Sequence, residues 1–183
     1  MSNNARVRDN ARVSGDARVS GDARVRDNAY VSDKARVYGD ALVGGDALVG
    51  GNARVYGDAR VYGDALVGGN ARVYGKARVY GDAFVGGNAR VYGDALVGGD
   101  AYVCGDAYVC GDADILTIGP AISSGRHTTA HTDAVIGVRV NTGCFTGTVS
   151  QFEQAIETTH KGNPVALRQY RGFVLAIKAH FGL

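Results

Sequence analysis

Tryptophan is missing from this 183-residue chain, proline occurs twice, and no glutamate precedes Glu153. Each shortage excludes something. Cys104, Cys110 and Cys144 form an odd set with no metal-type CxxC spacing, which argues against a disulfide framework and for incidental thiols in a reducing compartment. No apolar run approaches eighteen residues and no apolar segment follows Met1, so neither a membrane span nor export is expected, and the cytoplasm is the expected location.

Histidine is also missing from residues 1–126, all four lying in the tail as His127, His131, His160 and His180. The chain has 28 glycines, yet none forms a GxGxxG or Walker-type loop that would cradle phosphate. Charge gives no bias either. Lys and Arg number 20 against 18 Asp and Glu, and residues 1–112 hold 14 of each sign.

What the chain does have is a repeat. From Ala5 to Asp112 every sixth residue is Ala and every residue two places later is Val, giving eighteen hexads without an insertion. Residues 53–70, ARVYGDARVYGDALVGGN, show three of them. A fixed short period signals a solenoid and takes precedence over ordinary domain arithmetic. Within each hexad the Ala-x-Val triplet alternates in, out, in as a half-buried strand does. Gly, Asp and Asn then gather at the fifth and sixth places, where positive φ and side-chain bonds to the local backbone favour a corner.

These hexads resemble the hexapeptide-repeat family of left-handed parallel β-helices, in which three hexads close one triangular coil. The resemblance implies six coils, a prism about 29 Å long at one strand spacing per coil, and a bore lined by Ala and Val.

Eighteen residues per coil sorts the variable positions into three faces. The first carries Arg12, Tyr30, Leu48, Leu66, Phe84 and Tyr102, with Gly50, Gly68 and Gly86 beside them. This apolar lane next to bare backbone is expected to be a self-association surface. The second face sets Arg18, Arg36, Arg54, Arg72 and Arg90 beside Ser20, Tyr38, Tyr56, Tyr74 and Tyr92. The third mixes both kinds. Wherever the second hexad residue is Leu or Phe the fourth is Gly, so ARVYGD reads as a tile for a solvated wall and ALVGGN as one for a packed wall.

Arg ladders beside aromatic rings suit a partner or a polyanion, nucleic acid included, through phosphate contacts and stacking. The bland alternative is Arg stacked on Tyr and neutralised by corner Asp, and balanced charge favours it.

The same resemblance implies acyltransferases, trimers with a general-base His and often an extruded loop between subunits, and zinc carbonic anhydrases with His ligands. Coils without His or an extruded loop depart from both. His127 and His131, four apart in RHTTAHTD, read as one face of a strand without a third ligand, so no metal or cofactor is expected. Cys144 in NTGCFTG reads as a small buried thiol in a strand leading to a helix, with a nucleophile served by a tail His as the alternative.

Residues 113–183 read as a cap over the open β-helix end, a β-hairpin plus two helices. DILTIG continues the β pattern, and Ser150 with Glu153 reads as a capping box. Asn163–Pro164 opens a second helix with Tyr170, Phe173, Val174, Ile177 and Phe181 on its core side. Joined to ARVxGD repeats, the GCFTGT block resembles uncharacterised hexapeptide-repeat proteins of bacteria and their phages, a family without an established activity. The expectation is a non-enzymatic oligomeric β-helix, trimer or dimer, acting as a scaffold or binding protein. An acyltransferase-like enzyme with a site between subunits and a phage-borne inhibitor that sequesters a host protein are the alternatives.

Overall fold

The computed structural model describes residues 4–111, 114–121 and 127–183. The expected boundary between residues 112 and 113 lies outside them. Eighteen short strands, from β1 (Arg6–Val7) to β18 (Tyr108–Val109), wind into six coils whose successive strands pair in parallel on three six-stranded sheets. The register is an unbroken 18-residue step, with Leu66 beside Leu48 and Phe84 on the first face and Arg72 beside Arg54 and Arg90 on the second.

The hexad explains this geometry. Its Val and Ala side chains point inward, and from Ala23 to Val109 every one is at most 2% exposed. Val7 and Val13 of the first coil are exposed. Each buried Val contributes on the order of 1.5–3 kcal/mol. The corners need positive φ, supplied by glycine at most fifth positions and by Asp9, Asp27 and Asp33 at three of them.

Corners also stack. Asn10 donates to Asn28 and Asn28 to Asp46, and a second ladder runs Asn52, Asn70, Asn88, Asp106, each amide bonding the next coil 18 residues on. Parallel stacking thus repeats one side-chain bond as well as the backbone ladder.

The remaining described residues form an antiparallel sheet of β19 (Ile115–Ile118), β20 (Thr128–Asp133), β21 (Gly137–Thr142) and β22 (Phe145–Thr148), followed by α1 (Val149–Thr159) and α2 (Pro164–Phe181). The expected hairpin is β20 and β21, flanked by one further strand on each side. Ile115–Ile118 does not continue the solenoid. It runs antiparallel to β20, while Ile115 packs against the solenoid core.

Helix α1 starts directly after β22, so Thr148 is its N-cap and forms a reciprocal capping box with Gln151. This corrects the Ser150–Glu153 expectation. Glu153 instead reaches across to Lys178 at 2.7 Å, and Glu157 accepts from Nε and one terminal nitrogen of Arg171, tying α1 to α2. Asn163 caps α2 as expected, and Tyr170, Phe173, Val174 and Ile177 are buried in a second hydrophobic cluster.

Candidate functional site

The apolar lane is continuous. Tyr30, Leu48, Leu66, Phe84 and Tyr102 stand one above another on a single sheet, with Leu48 and Leu66 42% and 37% exposed. Phe84 stacks on Tyr102 with ring centres 4.6 Å apart.

The glycines beside the lane are not uniformly bare. A Cβ on Gly86 would come within 2.5 Å of the Phe84 ring, and one on Gly50 within 3.0 Å of the Asp33 carboxylate, whereas Gly68 meets only the Leu66 methyl at 3.6 Å. The third face has the same device, since the Tyr80 ring lies over Gly98. Pairing glycine with Leu or Phe therefore has an intramolecular cause at Gly86, where the backbone is the seat of the neighbouring ring.

The second face is an aromatic stack beside a row of guanidinium groups. Tyr38, Tyr56, Tyr74 and Tyr92 stack successively with centres 4.9, 4.9 and 5.0 Å apart, and Tyr108 closes the column edge-on. The strand spacing dictates this separation. Burial, and then the neighbouring phenols Tyr38 and Tyr74, raise the Tyr56 phenol above its ordinary value.

The rings stack on each other, and among the described residues the one Arg–Asp pair of the solenoid is Arg26 with Asp27 at 3.7 Å. Arg36, Arg54, Arg72 and Arg90 are exposed and make no ion pair with described residues.

The histidines divide. His131 is fully buried, its Nδ1–H donating to the Thr132 carbonyl while Nε2 accepts from Asn141. Burial holds its imidazole below the ordinary value. His160 stacks on Tyr170 and His180 packs against Phe181. His127 faces Asp100 of the solenoid, Nδ1 to carboxylate 3.1 Å. Among the described residues no group of three His, Cys, Asp or Glu side chains is placed to hold a metal ion.

Asn141 joins the two parts. Its amide nitrogen also donates to the Tyr102 carbonyl, and its oxygen accepts from Thr146 and from the Cys104 thiol. On the same coil Thr129 accepts from the Tyr102 N–H, Thr132 donates to the Tyr108 carbonyl, and Asp114 accepts from the Cys110 and Gly111 N–H groups. Burial raises the Cys104 thiol. Cys144 is exposed in the turn between β21 and β22, which corrects its reading as a buried strand thiol, because Gly143 at φ 55° turns the chain there. Asn141 and Asp100 were missed in the sequence, where a lone Asn and one corner Asp among fourteen carry no signal.

The family model described as YdcK Beta solenoid repeat matches residues 11–27, 35–51, 53–69, 67–81, 71–87 and 83–99. All six segments fall on the coils. No curated protein matches the chain.

Proposed function

We propose, for a chain built of β-solenoid repeats, a non-enzymatic role as a self-associating scaffold or binding protein. The Tyr30–Tyr102 lane is the subunit contact, and the Arg/Tyr wall faces a partner. The observation that carries this reading is the exposure of Leu48 and Leu66 side by side on one parallel sheet, in a row extended by Tyr30 and Tyr102. A protein wall rarely leaves such a continuous apolar row to water. The row suits either a parallel threefold bundle or an antiparallel dimer centred near Leu66.

The test is light scattering on the Leu48→Asp, Leu66→Asp double variant across a range of concentration. Loss of the wild-type oligomer to the mass of one chain is expected. An unchanged mass sinks the interface assignment, and the wild-type mass separates trimer from dimer.

A second reading gives the Arg/Tyr wall a polyanion as its ligand. It is favoured by four exposed guanidinium groups at strand spacing that make no ion pair with described residues. Retention on heparin or single-stranded DNA should weaken steeply with salt. Passage through both at low salt would dismiss it. Among the described residues no helix is long and apolar enough to cross a membrane, and the cytoplasm is the location proposed.

A further inference from the structure

The third face of the solenoid carries an open cleft that neither the apolar lane nor the Arg/Tyr wall uses. Its column of fourth hexad residues runs Arg8, Arg26, Gly44, Tyr62, Tyr80, Gly98. The Tyr62 and Tyr80 rings stack with centres 5.5 Å apart and planes 11° from parallel, and the Tyr80 ring lies over Gly98, which closes the column toward the later coils. Its other end is open. The residue one coil before Tyr62 is Gly44, set by the register that places Arg60 beside Leu42, so the column loses its ring there. Among the described residues Tyr62 stacks on no second ring. The gap is a cleft of about 380 Å³, within the size range of small-ligand sites.

Charge divides this cleft. Arg60 and Arg78 stand on adjacent strands along one side, exposed and without an ion pair to described residues. Arg26 reaches over Gly44 from the earlier coil, with its Nε 3.7 Å from the Asp27 carboxylate. That carboxylate also accepts from the Gly45 N–H at 2.9 Å, which holds it at the corner, on the tyrosine side. Three guanidinium groups thus face one carboxylate, and the two unpaired ones lie on the side away from it. Arg60 and Tyr62 project from the same strand face two residues apart, about 7 Å along the chain. An anion belongs beside Arg60 and Arg78, and a flat ring belongs on the uncovered side of Tyr62.

We propose that this cleft binds a nucleoside phosphate, with the base stacked on Tyr62 over Gly44 and the phosphates held between Arg60 and Arg78. The ribose bridges the two subsites. The base extends the tyrosine column by one ring, and an aromatic face accepts any base. Guanidinium forks match phosphate oxygens. On the second face Tyr56 and Tyr74 carry a ring on each side already, so they have no face to give a base. The cleft rests neither on self-association nor on a polyanion at the Arg/Tyr wall.

The experiment titrates the full chain with ADP, adenosine and pyrophosphate up to millimolar concentration, following affinity by calorimetry and position by backbone amide shifts. ADP is expected to bind more tightly than adenosine or pyrophosphate and to move the amides of Gly44, Gly45 and Gly63, which line the cleft. Tyr62→Ala should weaken ADP on the order of 10-fold and leave pyrophosphate unchanged. The Arg60→Gln, Arg78→Gln double variant should weaken ADP and pyrophosphate alike and leave adenosine unchanged. These side chains are exposed, so the variants keep the core intact. Arg54→Gln with Arg72→Gln is the control on the other face, where heparin retention should fall and ADP binding should not. Absence of ADP binding at millimolar ligand, ADP no tighter than pyrophosphate, or equal losses from the two Arg pairs would each overturn the proposal.

Discussion

His131 and Asn141 meet inside the cap with the imidazole Nε2 accepting from the amide nitrogen at 3.0 Å, and the same amide nitrogen reaches the Tyr102 carbonyl on the last full coil at 3.2 Å. One side chain thus satisfies a buried histidine, a solenoid carbonyl and, through its oxygen, the Thr146 hydroxyl and the Cys104 thiol. Among the described residues one isolated antiparallel bridge, Ala107 with Asp133, and the Ala134 N–H to the Asp106 carbonyl pair backbone across this seam, and side chains perform the rest of the join.

Asn141→Ala should therefore uncouple the cap. It leaves His131 Nε2 buried without a donor and removes the donor to the Tyr102 carbonyl, at a cost of roughly 1–3 kcal/mol. Hydrogen exchange is the suitable measurement, with faster exchange expected in β20 and β21 and little change in the middle coils. Uniform loosening of the whole chain would contradict the seam as a local joint.

Acid should act on the same joint. His131 is neutral in the folded chain because burial lowers its affinity for a proton, an effect Arg139 reinforces and the Thr132 carbonyl and Asp133 oppose. The unfolded chain binds that proton near the ordinary 6.5, so stability present above that pH falls as the pH drops below it. Asp133 adds a second, lower step. Burial would raise its carboxyl, but the bond from Arg139 and the Val135 and Ile136 amides hold it below 3.8, so its contribution is lost as the pH falls through the folded value. Stability from urea unfolding, followed by the helical circular dichroism of α1 and α2, should be flat just above about pH 7 and decline first just below 6.5. His131→Gln should remove that first decline and keep the second.

The coils were legible in the sequence because the hexad is its own register, and Arg72, Leu66 and Tyr56 could be assigned to faces by counting eighteen. Ring placement was not, since whether Phe84 projects outward or lies over Gly86 depends on three-dimensional room. In the cap, periodicity found both helices and the β20–β21 hairpin. It read DILTIG as β structure without its antiparallel pairing to β20, and misplaced the α1 cap, because Glu153 is drawn to Lys178 on the other helix, 25 residues on. Cys144 illustrates the same limit, as the left-handed Gly143 that exposes it looks like any strand glycine in sequence.

The tyrosine column makes its own prediction. Tyr56 stacks on both Tyr38 and Tyr74 with rings 2° from parallel, so Tyr56→Ala should cost about 1–3 kcal/mol, whereas Tyr56→Phe keeps both stacks. Ultraviolet titration of the wild type should show a phenol ionising above 10, in line with the burial and neighbouring phenols that raise Tyr56. A column in which Ala and Phe variants are equally stable would mean that the rings only lie near one another.

Glycine corners separate strain from contact. Gly45 and Gly99 both hold positive φ, 68° and 59°, so alanine at either meets a left-handed backbone at a cost of roughly 1–2 kcal/mol. Their surroundings differ. A Cβ on Gly45 would sit 2.8 Å from the Gly63 nitrogen and 2.9 Å from its oxygen in the next coil, while one on Gly99 meets nothing within 4 Å. Backbone cannot swing aside as a side chain does, and Gly45→Ala must push two coils apart against the Asp46 N–H to Gly63 carbonyl bond. Thermal unfolding should therefore rank Gly45→Ala well below Gly99→Ala. Equal losses would assign the whole penalty to φ and remove coil-to-coil contact as the reason for glycine at the corners.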